Sequence, residues 1–205
     1  MTEPAHSDQR VEIIEKERVF DGYFQVDRYR LRHRKFEGGW TAPLTREVFE
    51  RGHAAAVLPY DPIEDKVVLI EQFRSGALAA GRDPWLIEIV AGILDPDEAP
   101  QELARREAIE EAGCSVGALE PIADILLSPG ACSETVVIYC GRVDSSGLGG
   151  VHGLDSEGED IRVMVCSAAE AFELVAQGRV TNACALVALQ WLALNRQALR
   201  RRWTT

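Results

Sequence analysis

Apolar and polar residues alternate along the first fifty positions. Val11-Glu12-Ile13-Ile14 and the stretch Tyr23 to Arg32 carry the two-residue period of half-buried strands. The charges from Arg28 to Arg34 fit a solvated strand face, and Gly38-Gly39 marks a turn. From His53 the pattern changes to short apolar runs. Ala54 to Pro59 and Val67 to Ile70 predict strands, with Asp61-Pro62 and Asp65 turning the chain between them. Leu86 to Val90 predicts another strand, ended by Ala91-Gly92. Pro100 to Ala112 predicts a helix, because Pro100 suits its first position and Gly113 stops it. Ile122–Leu127, Thr135–Cys140 and Ile161–Cys166 predict further strands, and Ser145 to Asp160 a loop rich in Gly, Ser and acid. Two helices follow: Ala168 to Ala176, and one from near Asn182 to Arg200-Arg201-Arg202, cations that complement a helix C-terminus. Strands on both sides of a central helix, with helices last, imply a layered α/β or α+β domain.

Composition narrows the function. The 205 residues hold 22 Lys plus Arg against 33 Asp plus Glu, a net charge of 22 − 33 = −11. Such acidity argues against a nucleic-acid partner, since phosphate neutralisation needs clustered cations. It suits a protein that handles anions through a metal ion. The five cysteines show no CxxC spacing, which points to a reducing compartment rather than to disulfides or zinc. Met1 to Arg10 reads as a loose tail without the apolar core of a secretory leader. The most apolar stretch, Ala183 to Leu194, has 12 residues and is too short to span a bilayer. The expectation is a cytoplasmic protein with no membrane partner.

The stretch Gly92 to Cys114 carries the candidate chemistry. Glu107 and Glu111 lie four apart on the predicted helix with Glu110 beside them, so three carboxylates share one face. Like charges at that spacing destabilise a helix by roughly 0.2–0.5 kcal/mol per pair. A divalent cation would offset the repulsion, and magnesium prefers carboxylates and substrate phosphates. Arg106, one turn before Glu110, is placed to hold a carboxylate. Taken by itself, such a run also fits a solvated acidic face.

The wider spacing separates the two readings. Gly92 is followed after five residues by Glu98, after seven more by Arg106-Glu107, then Ala108, Ile109, Glu110-Glu111, Ala112, Gly113 and Cys114. This resembles the complete box of the Nudix hydrolase superfamily. Ala91-Gly92, Ser128-Pro129-Gly130 (Pro129 fifteen residues after Cys114), Glu157 to Ile161 and Glu47 to His53 are similar to the bacterial ADP-ribose pyrophosphatase branch. The likeness runs over about residues 11–200.

The resemblance implies a Nudix fold: an α/β/α sandwich with a mixed sheet, plus a small N-terminal β region. It divides the chain into a β-rich dimerisation region, residues 1–50, and a hydrolase domain, residues 51–205. It implies hydrolysis of ADP-ribose to AMP and ribose 5-phosphate with Mg²⁺ as cofactor, Mn²⁺ being a possible substitute. Glu107, Glu111 and the backbone carbonyl of Ala91 would bind metal, with Glu159 as a further ligand or alternate base. Glu157 would activate the water, Glu110 would share a metal or position a ligand, and Arg106 and Glu98 would orient loop and helix. Arg46, Arg74, Ser128 and Glu134 would contact substrate, and Tyr23 would stack on adenine. The expected partners are a nucleotide sugar and a second copy of the chain. A GDP-sugar is the rival substrate. A non-catalytic ADP-ribose sensor is the rival class, although sensors usually lose box glutamates and this chain keeps each one.

Overall fold

The computed structural model describes residues 10–204, and the tail read over residues 1–10 lies outside the described residues except for Arg10. The chain forms two compact units. The first takes in the residues up to Gly52 together with Leu126–Glu134; the second takes in His53–Ile125 and Thr135–Thr205.

The first unit is a three-stranded antiparallel sheet of β1 (Val11–Asp21), β2 (Gln25–His33) and β3 (Leu44–Glu50), in that order. β1 is longer than the apolar alternation of Val11 to Ile14 suggested. Cross-strand ion pairs extend it: Glu12 with Arg32 at 2.6 Å and Glu17 with Arg28 at 3.1 Å, while Arg28 also holds Glu47 at 2.7 Å. Such pairs are the unit of sheet stabilisation when little is buried. Every residue of β1 is exposed. Asp27 is buried between Lys16 and Arg18, and the hydrogen bond from Arg18 holds its carboxyl below the usual range. Residues 126–134 join this unit through Phe49, whose N–H donates to Ala131 at 2.8 Å and whose carbonyl accepts from Ser133 at 3.2 Å.

The second unit holds a mixed sheet. Its strands are β4 (Ala54–Asp61), β5 (Lys66–Phe73), β6 (Trp85–Glu88), β7 (Val90–Ile93), β8 (Leu119–Leu126), β9 (Thr135–Arg142), β10 (Gly150–His152) and β11 (Ile161–Ser167). The order is β10-β11-β5-β4-β9-β8, with β6 on β5 and β7 on β4. β4 and β9 run parallel, while β4–β5, β5–β11 and β10–β11 are antiparallel. The helices are α1 (Ser75–Ala79), α2 (Pro100–Ala112), α3 (Ala168–Ala176) and α4 (Ala183–Trp203).

Strand alternation assigns the two faces. Leu58, Tyr60, Val67 and Leu69 pack with Ala185, Leu189 and Leu192 of α4 and Ala171 of α3. Val57, Val68, Ile70 and Val163 pack with Ala104, Ala108 and Ala112 of α2. The result is the α/β/α sandwich. All eight residues of β4 are buried, as a strand covered on both faces requires.

In the second unit, three segments differ from the sequence expectation. The run Leu86 to Val90 is two strands: the chain leaves β5 after Glu88 and pairs with β4 from Val90, so Ala91 and Gly92 lie inside β7 opposite Ala56 and Ala55. The segment read as a loop from Ser145 to Asp160 contains β10 and a 3₁₀ turn, Asp155–Glu157. α1 had no signal of its own; it is a five-residue turn.

Candidate active site

α2 starts and stops where its termini demand. Pro100 occupies the first turn, and Gly113 closes the helix in the left-handed region at φ 61°. Leu103, Ala104, Ala108 and Ala112 seat it on the sheet, and Glu111 is buried with them. The helix therefore turns one carboxylate inward and leaves Glu107 and Glu110 half-buried beside it.

Arg106 gathers its neighbours. Its guanidinium donates to Glu98 at 3.0 and 3.1 Å, to Glu107 at 3.0 Å and to Glu110 at 2.9 Å. Gly92 lies under Glu107: a Cβ there would fall inside the Glu107 carboxylate, so only glycine lets β7 and α2 approach this closely. One residue earlier, the Ala91 N–H donates to Glu111 at 3.1 Å.

These carboxylates are short of compensating charge. Burial pushes the Glu111 carboxyl up to about 8; Glu107 and Glu159 add repulsion, against the opposing Ala91 N–H and Arg74. Burial likewise pushes Glu107 up to about 7, opposed by Arg106 and reinforced by Glu110 and Glu159. Among the described residues no three His, Cys, Asp or Glu side chains already converge on one metal position, and Glu107 and Glu110 both accept from Arg106. The donor set nonetheless fits a hard divalent cation. It is all oxygen, it is partly withdrawn from solvent, and its ionised form needs a positive charge from outside.

The loop between β10 and β11 is cinched at its base. The Glu159 carboxylate accepts the Leu154 N–H at 3.0 Å, and the Glu159 N–H donates to the Leu154 carbonyl at 3.3 Å. The Gly153 N–H reaches the Glu110 carbonyl at 3.3 Å, fastening the loop to α2. His152 bonds the Gly149 carbonyl at 3.0 Å, and its ring sits where a Cβ on Gly113 would come within 2.6 Å. Glu157 lies in the 3₁₀ turn and its side chain is outside the described residues.

The remaining sequence candidates fall as follows. Arg74, half-buried in the second unit, is paired with Glu88 at 2.8 Å. In the first unit, Tyr23 is in the bend between β1 and β2, outside either strand and 89% exposed. Arg46 is an exposed β3 residue, and Ser128 is exposed in the turn where its carbonyl accepts from Ala131 and Cys132. Glu134 is buried and paired with Arg51 at 2.9 Å, while the Arg51 Nε is buried without an acceptor. Sequence reasoning passed over Glu88, only 3% exposed and the partner of Arg74. Its signal was a single carboxylate inside the apolar run Leu86 to Val90.

A mixed-sheet sandwich carrying this carboxylate-rich helix defines the class, and residues 50–185 match the NUDIX domain. The chain belongs to the NUDIX family and is a Nudix pyrophosphohydrolase. It is 49% identical over 193 residues to the ADP-ribose pyrophosphatase of Escherichia coli strain K12, covering 94% of this chain and 92% of that one. It is 39% identical over 207 residues to the ADP-ribose pyrophosphatase of Haemophilus influenzae, covering 99% and 95%. The GDP-mannose pyrophosphatase of Pectobacterium atrosepticum is 34% identical over 181 residues, covering 88% and 92%. The crystal structure of an ADP compounds hydrolase superposes with a TM-score of 0.67 at 21% identity, over 92% of this chain and 97% of that one, a likeness of fold. No described helix is long and apolar enough to cross a membrane.

Proposed function

We propose that this protein hydrolyses the pyrophosphate of ADP-ribose, releasing AMP and ribose 5-phosphate, with Mg²⁺ or Mn²⁺ as cofactor. The observation that carries the reading is the under-compensated pair of half-buried Glu107 and buried Glu111 beside Ala91 and Gly92. The names of its relatives at 49% and 39% identity support the substrate. Glu107, Glu111 and the Ala91 carbonyl would hold the ion, with Glu159 or Glu110 joining them. The ion, when bound, neutralises the phosphates and stabilises the departing one. Glu157 takes a proton from water as the water oxygen bonds to one phosphorus, and the bridging oxygen leaves with the other phosphate. Arg106 keeps the α2 carboxylates aligned. Arg46, Arg74, Ser128 and Glu134 bind the substrate's polar groups.

The first unit has a second part in this reading. The strands of residues 11–50 are few for an independent core, since chains near or below about 40 residues usually need outside support. Val11, Ile13, Ile14, Val19 and Phe20 are exposed on it. A second copy of the chain covers that surface in a homodimer, and Tyr23 stacks on adenine. The setting is cytoplasmic.

The test is a kinetic panel of ADP-ribose, GDP-mannose and NADH with magnesium, run on the wild type and on Glu107→Gln. The expected result is the highest kcat/KM on ADP-ribose and a loss of about 10²–10³-fold in kcat for Glu107→Gln, the scale for removing one electrostatic stabiliser. A higher kcat/KM on GDP-mannose would overturn the substrate. Unimpaired Glu107→Gln at saturating magnesium would overturn the metal site.

A further inference from the structure

Gln72 is a polar residue in a place that does not satisfy it. It lies on β5, directly opposite Leu86 of β6. The β5–β11 ladder reaches the residue before it, at the Glu71–Arg162 pair. By two-residue alternation its side chain shares a face with Val68 and Ile70, the face that packs on Ala104 and Ala108 of α2. Gln72 is 6% exposed, and its Nε2 is buried with no hydrogen-bond acceptor. The Leu86 side chain opposite it carries no acceptor.

Buried donors are almost always paired, so an orphan of this kind calls for an explanation. The next residue on the same face is Arg74. Its guanidinium binds Glu88 and lies in the fields of Glu111 and Glu159. By the same alternation the orphan amide precedes Arg74 on the α2-facing side of β5, and that arginine is already engaged. A neutral amide has one advantage in such company: it is not drawn into an ion pair with a glutamate, as a lysine would be. Its N–H is left unpaired in the free protein.

We infer that Gln72 is a substrate-contacting residue whose Nε2 donates to an anionic oxygen of the bound pyrophosphate. The inference rests on the reading that α2 and its neighbours hydrolyse a pyrophosphate. The amide completes its hydrogen bonding only in the complex, where the side chain turns from its buried position to meet the ligand.

The test replaces the donor without opening a cavity. Gln72→Met keeps length and volume, and Gln72→Leu is a second variant should the thioether pack poorly. With ADP-ribose and magnesium, KM is expected to rise about 5- to 20-fold with kcat within threefold, the pattern for an interaction made equally in ground and transition states. The melting temperature is expected to hold or rise, because an unpaired buried donor has been removed. A purely structural amide gives the opposite pattern, a lower melting temperature with KM unchanged, and that result overturns the inference. So does no change in either quantity. Wild type and Glu107→Gln in the same assay separate the two levels. If the wild type hydrolyses nothing in the panel, the functional reading has failed. If it is active and Glu107→Gln is not, while Gln72→Met matches wild type, only the inference has failed.

Discussion

Glu111→Gln should make the metal-free protein more stable in alkali while abolishing its use of metal. Glu111 is 3% exposed, and burial raises its carboxyl from the ordinary 4.5 to about 8. The folded state therefore binds a proton more tightly than the unfolded state. For a raised carboxyl, that contribution is complete below pH 4.5 and is lost as pH climbs toward 8. The gap from 4.5 to about 8, at 1.36 kcal/mol per pH unit, sets the cost of the ionised form at roughly 5 kcal/mol. At pH 5.5 the same arithmetic leaves roughly a third of that. Glutamine carries no charge and keeps an oxygen for the Ala91 N–H. With half the ionisation cost absorbed by relaxation, the gain at pH 8.5 is roughly 2–3 kcal/mol, or about 5–10 °C for a chain of this size. Thermal melts of both proteins in EDTA at pH 5.5 and 8.5 measure it. The gain should be clear at pH 8.5 and small at pH 5.5. Magnesium should restore stability to wild type at pH 8.5 and do little for the variant, since a ligand stabilises only the state that binds it. A variant no more stable than wild type at pH 8.5 in EDTA would refute the idea that this carboxylate is held ready for a cation.

Glu157→Gln should lower kcat by about 10²–10⁴-fold with KM little changed, as for a general base; the same change at Glu159 tests the alternative, and if neither lowers the rate tenfold the base is elsewhere, with Glu110 next to be tried. Tyr23→Ala should raise KM for ADP-ribose tenfold or more, in line with roughly 1–3 kcal/mol of base stacking; an unchanged KM removes adenine stacking from this 89% exposed ring. Gly113→Ala should lose roughly 1–3 kcal/mol, the cost of a non-glycine residue in the left-handed region, because φ is 61° and the new Cβ meets His152 at 2.6 Å; a melting temperature equal to wild type would contradict the packing of β10 on the end of α2. Deleting residues 1–50 should leave an aggregated or inactive product, read by sedimentation together with the activity assay; a fully active monomer from the shortened or the whole chain argues against the dimer.

Local chemistry was enough for α2, α3 and α4. The bounds of α2 follow from Pro100, the apolar period through Leu103, Ala104 and Ala108, and Gly113; each acts within a turn or two of chain. α3 follows from the Ser167 and Glu170 capping box, and α4 from Asn182, whose side chain accepts from Ala185. The same locality made the carboxylates of α2 legible, since their spacing along one helix is their spacing in space. Partners chosen at long range were not legible. Glu88 is a polar interruption until β6 turns back along β5 and brings it to Arg74. Residues 126–134 are a turn until Phe49 offers them a backbone to pair with. Leu86 to Val90 is a single apolar run, and only two neighbouring strands, each with open hydrogen-bonding positions, divide it. Gln72 is one more polar strand residue until β6 pairs with β5 and sets it, buried, opposite Leu86. Strand pairing and burial depend on residues far away in the chain, so the sequence determined which helix would carry charge, and the tertiary structure decided which charges would be left wanting a partner.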